Sequence, residues 1–213
     1  MINTTQDYNR NRPISVHFSE RDAVDRAEIE QFISKIFFAT CGAKVRFFLP
    51  VLLSLRDSDG KLIAACGIRS AGSDRLFLEH YMDQPVERLL SEQVGSTVNR
   101  NDIIEIGNYS VAEMGTSRQL LSAIIDQLHA TSKQWAVFTA IQLVRNTLIK
   151  QNVFPRVLCD ADIKRLPPED QSEWGSYYEQ KPQVMAIRRM ERRRENRVYE
   201  QIQAKDALTA NPE

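Results

Sequence analysis

The chain of 213 residues is poor in the features that announce common functions. It has three cysteines, Cys41, Cys66 and Cys159, far apart and without a C-x-x-C spacing, so neither a disulfide framework nor a cysteine zinc site is expected, and buried thiols are. Its three histidines, His17, His80 and His129, share no metal-ligand spacing, and no Ser-x-Gly elbow accompanies them; no metal site and no Ser-His-Asp triad is expected. Excess charge is missing too: Lys+Arg and Asp+Glu are 28 each, which removes the global field that nucleic acid or an anionic membrane would favour. The longest apolar runs, such as Val51–Leu53 and Leu62–Cys66, are far short of the ~20 residues a membrane helix needs. The opening MINTTQDYNRNRP has no apolar segment of the secretory type, so a cytoplasmic location is expected.

What is present is ordinary globular material, 42% hydrophobic and 26% charged, of a length that suits one domain. Residues 1–15 are polar and read as a loose arm. Ser19 reads as a helix cap, and Ile29, Phe32, Ile33, Ile36 and Phe37 continue at helical spacing, giving a helix over 20–39 stopped by Gly42. Strands are expected at 50–56 and 61–68, joined by Asp57-Ser58-Asp59-Gly60, a hairpin signal. Residues 75–82 read as a third strand, with Phe77, Glu79 and Tyr81 on one face. A helix over 85–94 ends at Gly95. A central strand over 102–111 contains Gly107, which points to a bulge or a close backbone approach. Ser117 reads as the cap of a helix with Leu120, Leu121, Ile124, Ile125 and Leu128 on one stripe, a strand covers 135–141, a helix 142–151, and a short strand begins at Val157. The sheet domain is set at 16–183, and 184–213 reads as a charged, partly helical tail. This order implies an α+β fold with a mixed sheet flanked by helices and one parallel strand pair made by a right-handed crossover.

Five blocks, GAKVRFFLP (42–50), LFLEHYMDQPVE (76–87), EIGNYSV (105–111), VFTAIQLVRN (137–146) and WGSYYEQKPQVMA (174–186), resemble the thermostable hemolysin family in type and order. That family is in turn similar, distantly, to GNAT-type acyltransferases and above all to acyl-homoserine lactone synthases, whose E-x-S-R-F-x-V strand EIGNYSV resembles. The resemblance implies a GNAT-like splayed sheet with a V-shaped cleft for an acyl thioester, and an N-acyltransferase acting on a small amine. Asn108 stands where the lactone synthases carry Arg, so S-adenosylmethionine is not carried over. The GNAT pyrophosphate signature Q/R-x-x-G-x-G/A is absent, which leaves the donor open between acyl-CoA and an acyl carrier protein. The alternatives are a membrane-active hemolysin and a ligand-binding protein of the same fold without chemistry.

Acyl transfer to an amine needs a proton acceptor, a stabilised oxyanion and a held donor. Glu105, between Ile104 and Ile106, is the first candidate base, because burial raises a carboxyl pKa; the other reading is a strand carboxylate paired with Arg. Glu79 is the second, with an exposed sheet position as its other reading. Gly115, Thr116, Ser117 and Arg118 at a helix start suit the donor's phosphates or are plain helix capping. Arg46, Asn108, Arg145 and Asn146 are candidate acceptor contacts, and Trp174, Tyr177 and Tyr178 candidate walls of an acyl pocket or packing aromatics. The RRMERRRENR run at 188–197 suits an anionic lipid surface or an acidic carrier protein, or is a solvated helix.

Overall fold

The computed structural model describes residues 14–189. Seven strands, β1 (Ser15–Ser19), β2 (Val51–Arg56), β3 (Leu62–Ser70), β4 (Ile103–Val111), β5 (Trp135–Ala140), β6 (Arg156–Asp160) and β7 (Gln183–Arg188), form one mixed sheet in the order β1-β2-β3-β4-β5-β7-β6. Only β4 and β5 pair in parallel. Between them runs α3 (Ser117–Ala130), the crossover helix that a parallel pair requires. The other helices are α1 (Arg26–Cys41), α2 (Val86–Val94), α4 (Gln142–Ile149) and the single turn α5 (Pro168–Gln171).

Strand alternation sends odd and even side chains to different cores. Ile104, Ile106, Ala136 and Phe138 pack with Leu120, Leu121 and Ile124 of α3 and Leu148 of α4. Ile103, Trp135 and Val137 pack with Leu76, Leu78, Val86 and Leu90 on the opposite face, which α1 also covers through Ile29 and Ile33 against Leu52 and Ala65. The expected β2–β3 hairpin is present: Gly60 takes φ 79°, and the Asp57 carboxylate accepts the N–H groups of Asp59 and Lys61.

Four expectations are corrected. Residues 1–13 of the expected arm lie outside the described residues, but Ser15–Ser19 form β1, so the arm is shorter than expected and Ser19 ends a strand; the helix begins only at Arg26. Arg26 is buried and donates to the carbonyls of Leu49 and Pro50, so this cation is a brace between α1 and the start of β2. Residues 77–81 form a 3-10 helix instead of a strand. Both edges of β4 are already taken, by β3 and β5, and two carboxylates cap the turn: Glu79 accepts the N–H of Leu76, and Glu105 those of Phe77 and Leu78. Finally, Gln183–Arg188 is not part of a charged tail but strand β7, inserted between β5 and β6, with Val184, Met185, Ala186 and Ile187 buried. The remainder of the Arg-rich run, from 190 on, lies outside the described residues. Of its described members, Arg188 lies over the Trp135 ring, 5.8 Å from the centroid, and Arg189 donates to the Thr131 carbonyl.

Candidate active site

The β4–β5 ladder stops early. Its register runs from Ile103↔Trp135 to Ile106↔Phe138, although β4 continues to Val111 and β5 to Ala140. The strands therefore part, and a cavity of about 360 Å³ opens between them. Leu121 and Ile124 of α3 and Val144 of α4 line it on one face of the sheet; Phe37 of α1, Phe77 and Tyr81 line it on the other.

A bulge in β4 accompanies the parting. Gly67 of β3 lies opposite Gly107, but Ala65 lies opposite Ser110, so β4 carries an extra residue there. Asn108 takes a left-handed φ of 52°, which asparagine tolerates better than most residues. Its amide is fully engaged: Oδ1 accepts the Leu49 N–H and Nδ2 donates to the Phe47 carbonyl, both at 3.0 Å. Leu49 then lies over two glycines, since a Cβ on Gly67 would come within 2.7 Å of the Leu49 Cβ and one on Gly107 within 3.1 Å of its Cδ1. The expected bulge or close approach at Gly107 is thus both. Asn108 lines the cavity, but its polar atoms hold the 43–49 segment in place.

Glu105 faces the cavity just before the parting and is only 3% exposed. Its Oε1 accepts the Leu78 N–H at 3.0 Å and its Oε2 that of Phe77 at 3.2 Å, and Arg69 Nε is 3.8 Å away. Burial pushes its carboxyl above the ordinary value, against the pull of those N–H groups and Arg69. Glu79 does not join it. That carboxylate lies under a second cavity of about 520 Å³, clamped by Arg100 at 2.6 and 3.0 Å and by the N–H groups of Leu76 and Val86. Burial raises its pKa, but Arg100 and the two N–H groups outweigh burial and leave it below the ordinary value, so Glu79 is held as an ion pair with Arg100.

The remaining candidates divide. Ser117 lines the cavity at the first turn of α3, its Oγ 2.6 Å from the hydroxyl of Tyr109, another lining residue. Burial pushes the Tyr109 hydroxyl up to about 12. Gly115 before this turn and Arg118 within it are exposed, and Thr116 is buried. Arg46 lines the mouth, 3.0 Å from Glu173. Arg145 and Asn146 do not line the cavity; Asn146 accepts from Gln142 on the outer surface of α4. Trp174, Tyr177 and Tyr178 do line it, in a cluster of rings with Trp174 5.7 Å from Phe77, 5.6 Å from Tyr177 and 5.9 Å from Tyr178. The Tyr81 and Tyr178 hydroxyls are hydrogen-bonded, and burial raises both. Sequence reasoning missed Arg69 and Glu173. An arginine inside the apolar strand 62–70 was a usable signal for the first. Glu173 sits in the polar stretch PPEDQSEW, which carries none. Among the described residues no group of three potential metal ligands occurs, and no helix is long and apolar enough to cross a membrane.

The fold has solved relatives that are distant in sequence. The acyl-homoserine lactone (AHL) synthase LasI superposes with a TM-score of 0.58 at 12% identity, covering 84% of this chain and 92% of LasI. FeeM, an N-acyl amino acid synthase from uncultured soil microbes, gives 0.52 at 9% identity over 84% of this chain and 91% of FeeM. A protein from Lactobacillus plantarum assigned as an N-acetyltransferase gives 0.51 at 12% identity over 83% of this chain and 99% of its own. These likenesses establish a GNAT-like fold. A comparison with curated proteins finds no match. At the level of sequence families, residues 19–192 match the thermostable hemolysin model, so the chain belongs to the thermostable hemolysin family.

Proposed function

We propose that this chain is an N-acyltransferase that moves an acyl group from a thioester, acyl-CoA or an acyl carrier protein, to a small amine. The observation that carries the reading is the parting of β4 and β5 after Ile106 and Phe138, around an apolar cavity with the buried Glu105 carboxylate beside it. LasI and FeeM, which share the fold, are by their names synthases of acylated molecules, and this supports the class of reaction.

In the proposed reaction the neutral amine nitrogen attacks the thioester carbonyl carbon. A tetrahedral intermediate forms, the C–S bond breaks, and the amide leaves with a thiol that has taken up the proton shed by nitrogen. Beyond Ile106 the β5-facing edge of β4 has no strand partner, and main-chain N–H groups on such an edge suit the developing oxyanion. Ile124, Phe138 and Val144 make an apolar lining for the acyl chain. Glu105, with its raised pKa, takes that proton from nitrogen and passes it to the leaving sulfur. The first turn of α3 at Ser117, with Arg118 outside it, holds the donor's phosphates.

Mass spectrometry of organic extracts from cells with and without the gene tests this reading. The expected result is a new acylated amine, together with thiol release from a thioester by the purified protein when that amine is added. No new species, and no amine-dependent thiol release over a panel of amines with acyl-CoA and acyl carrier protein, would remove it.

A further inference from the structure

A residue that lines the cavity carries a polar atom that the fold leaves unsatisfied. Glu173 lines the cavity, and its Oε1 lies 3.0 Å from Arg46 Nη2. Its Oε2 is buried and has no hydrogen-bond partner among the described residues. A buried carboxylate oxygen without a partner is costly to keep, and a hydrogen-bond donor is what it lacks; an ammonium group supplies one together with charge. The next residue, Trp174, is the hub of the ring cluster, 6.3 Å from Phe37 and within 6 Å of Phe77, Tyr177 and Tyr178. Aromatic rings gathered beside a carboxylate with one oxygen free attract a cation on two independent grounds, the ring quadrupoles and the carboxylate. The cavity's own cations do not fill the place. Arg46 is 63% exposed and spends its contact on Oε1, Lys44 is exposed, and Arg69 leans toward Glu105 and donates to the Arg75 carbonyl.

We propose that the aromatic end of the cavity is a subsite for an organic ammonium group, seated against Glu173 Oε2 and the Trp174 ring cluster. The acceptor then belongs to the class of aliphatic or arylalkyl amines that enter protonated, and Glu173 is its specificity residue. The assignment to the acceptor rests on the cavity being the acyl-transfer site. The presence of a cation subsite does not.

The test is binding without any thioester. The full chain is titrated at neutral pH with benzylammonium and with benzyl alcohol, its neutral isostere, by calorimetry and by tryptophan fluorescence. The expected outcome is at least tenfold tighter binding of benzylammonium. Glu173→Gln abolishes that preference and leaves benzyl alcohol binding as it was, whereas Arg46→Gln, which frees Oε1, keeps or strengthens it. Equal binding of the two probes by the parent protein overturns the proposal, and so does a preference that survives Glu173→Gln. An ion pair of purely structural importance makes both variants lose binding alike, which also overturns it. If Glu173→Gln does not fold, the parent comparison and Arg46→Gln still decide. Loss of the preference leaves acyl transfer standing, and a failed acyl-transfer assay leaves the cation subsite standing, so the two readings fail separately.

Discussion

Glu79 and Glu105 are both buried, and each accepts two main-chain N–H groups, yet their carboxyls shift in opposite directions. The difference is the arginine. Arg100 touches both oxygens of Glu79, whereas Arg69 stays 3.8 Å from Glu105. The signs of their contributions to stability follow. With its folded pKa below 4.5, Glu79 stabilises fully above that value and loses the contribution as pH falls through the folded value. With its folded pKa raised, Glu105 does the reverse: its contribution is whole below 4.5 and is lost as pH rises through the folded value. Glu79→Gln is therefore expected to destabilise by about 2 kcal/mol near neutral pH, because Arg100 loses its more buried carboxylate partner and keeps Glu87. That cost should shrink toward about pH 4. Glu105→Gln trades one acceptor oxygen for an N–H donor opposite a main-chain N–H, and its cost relative to the parent should shrink in the other direction, as pH rises. Urea unfolding of both variants across this range checks the pair of trends; parallel trends would refute the assignment. The same geometry limits Glu105→Gln as a catalytic test, because a drop in turnover then combines lost proton transfer with a loosened 77–81 turn, and only a changed pH–rate profile isolates the first.

Among the elements, the aromatic wall depends on how residues 173–178 lie against the end of α1. The Ser176 N–H donates to the Cys41 carbonyl at 2.8 Å and the Lys44 N–H to the Glu173 carbonyl at 2.7 Å. Between them Gly175 takes φ 51° and ψ −129°, and a Cβ there would overlap the Cys41 carbonyl oxygen. Gly175→Ala thus meets backbone strain and a main-chain collision together, and an expected loss of about 2–4 kcal/mol follows. Trp174 should be displaced with the segment, so thermal melting and Trp174 fluorescence should change together. A variant with unchanged melting and emission would show that the segment is not held as described. This wall was half legible in the sequence. Trp174 and Tyr177 stood out as aromatics in a block shared with the family, but nothing local says that a 3-10 turn will dock on α1 through a glycine. Residues 75–82 show the same limit from the other side. Their alternation is strand-like, and the carboxylate that overrides it, Glu105, is 28 residues from Phe77. Strand β7 was hidden for a different reason: four buried residues, Val184–Ile187, sit directly before an arginine run that dominates the composition of the segment. By contrast, the 103–111 strand, the helix over 117–130 and the Asp-Gly hairpin were readable because their patterns are local, although Ser117, read as the cap, is the first helical residue and Thr116 precedes it.

For the whole molecule, the family's name and the proposed chemistry point to different agents of lysis. The described residues contain no helix long and apolar enough to cross a membrane. Apolar side chains line a cavity of about 360 Å³ between β4 and β5, although Phe38, Phe47 and Leu143 also stand exposed on the surface. Such a cavity suits an acyl chain, and an amine carrying an acyl chain is an amphiphile that partitions into bilayers by its apolar length, roughly 0.8 kcal/mol for each methylene buried. On the proposed reaction, lysis belongs to the product and not to the chain. Purified protein added alone to red cells or to lipid vesicles is therefore expected to release nothing, while protein supplied with a long-chain acyl thioester and its amine acceptor releases contents after a lag set by turnover. Heating should separate the two agents as well: once product has formed, lytic activity in the mixture survives boiling and removal of the protein by filtration. Dye release from vesicles, read with and without thioester and before and after filtration, distinguishes these outcomes. Prompt release by protein alone, stopped by its removal, would assign lysis to the chain itself and leave the cavity without a part in it.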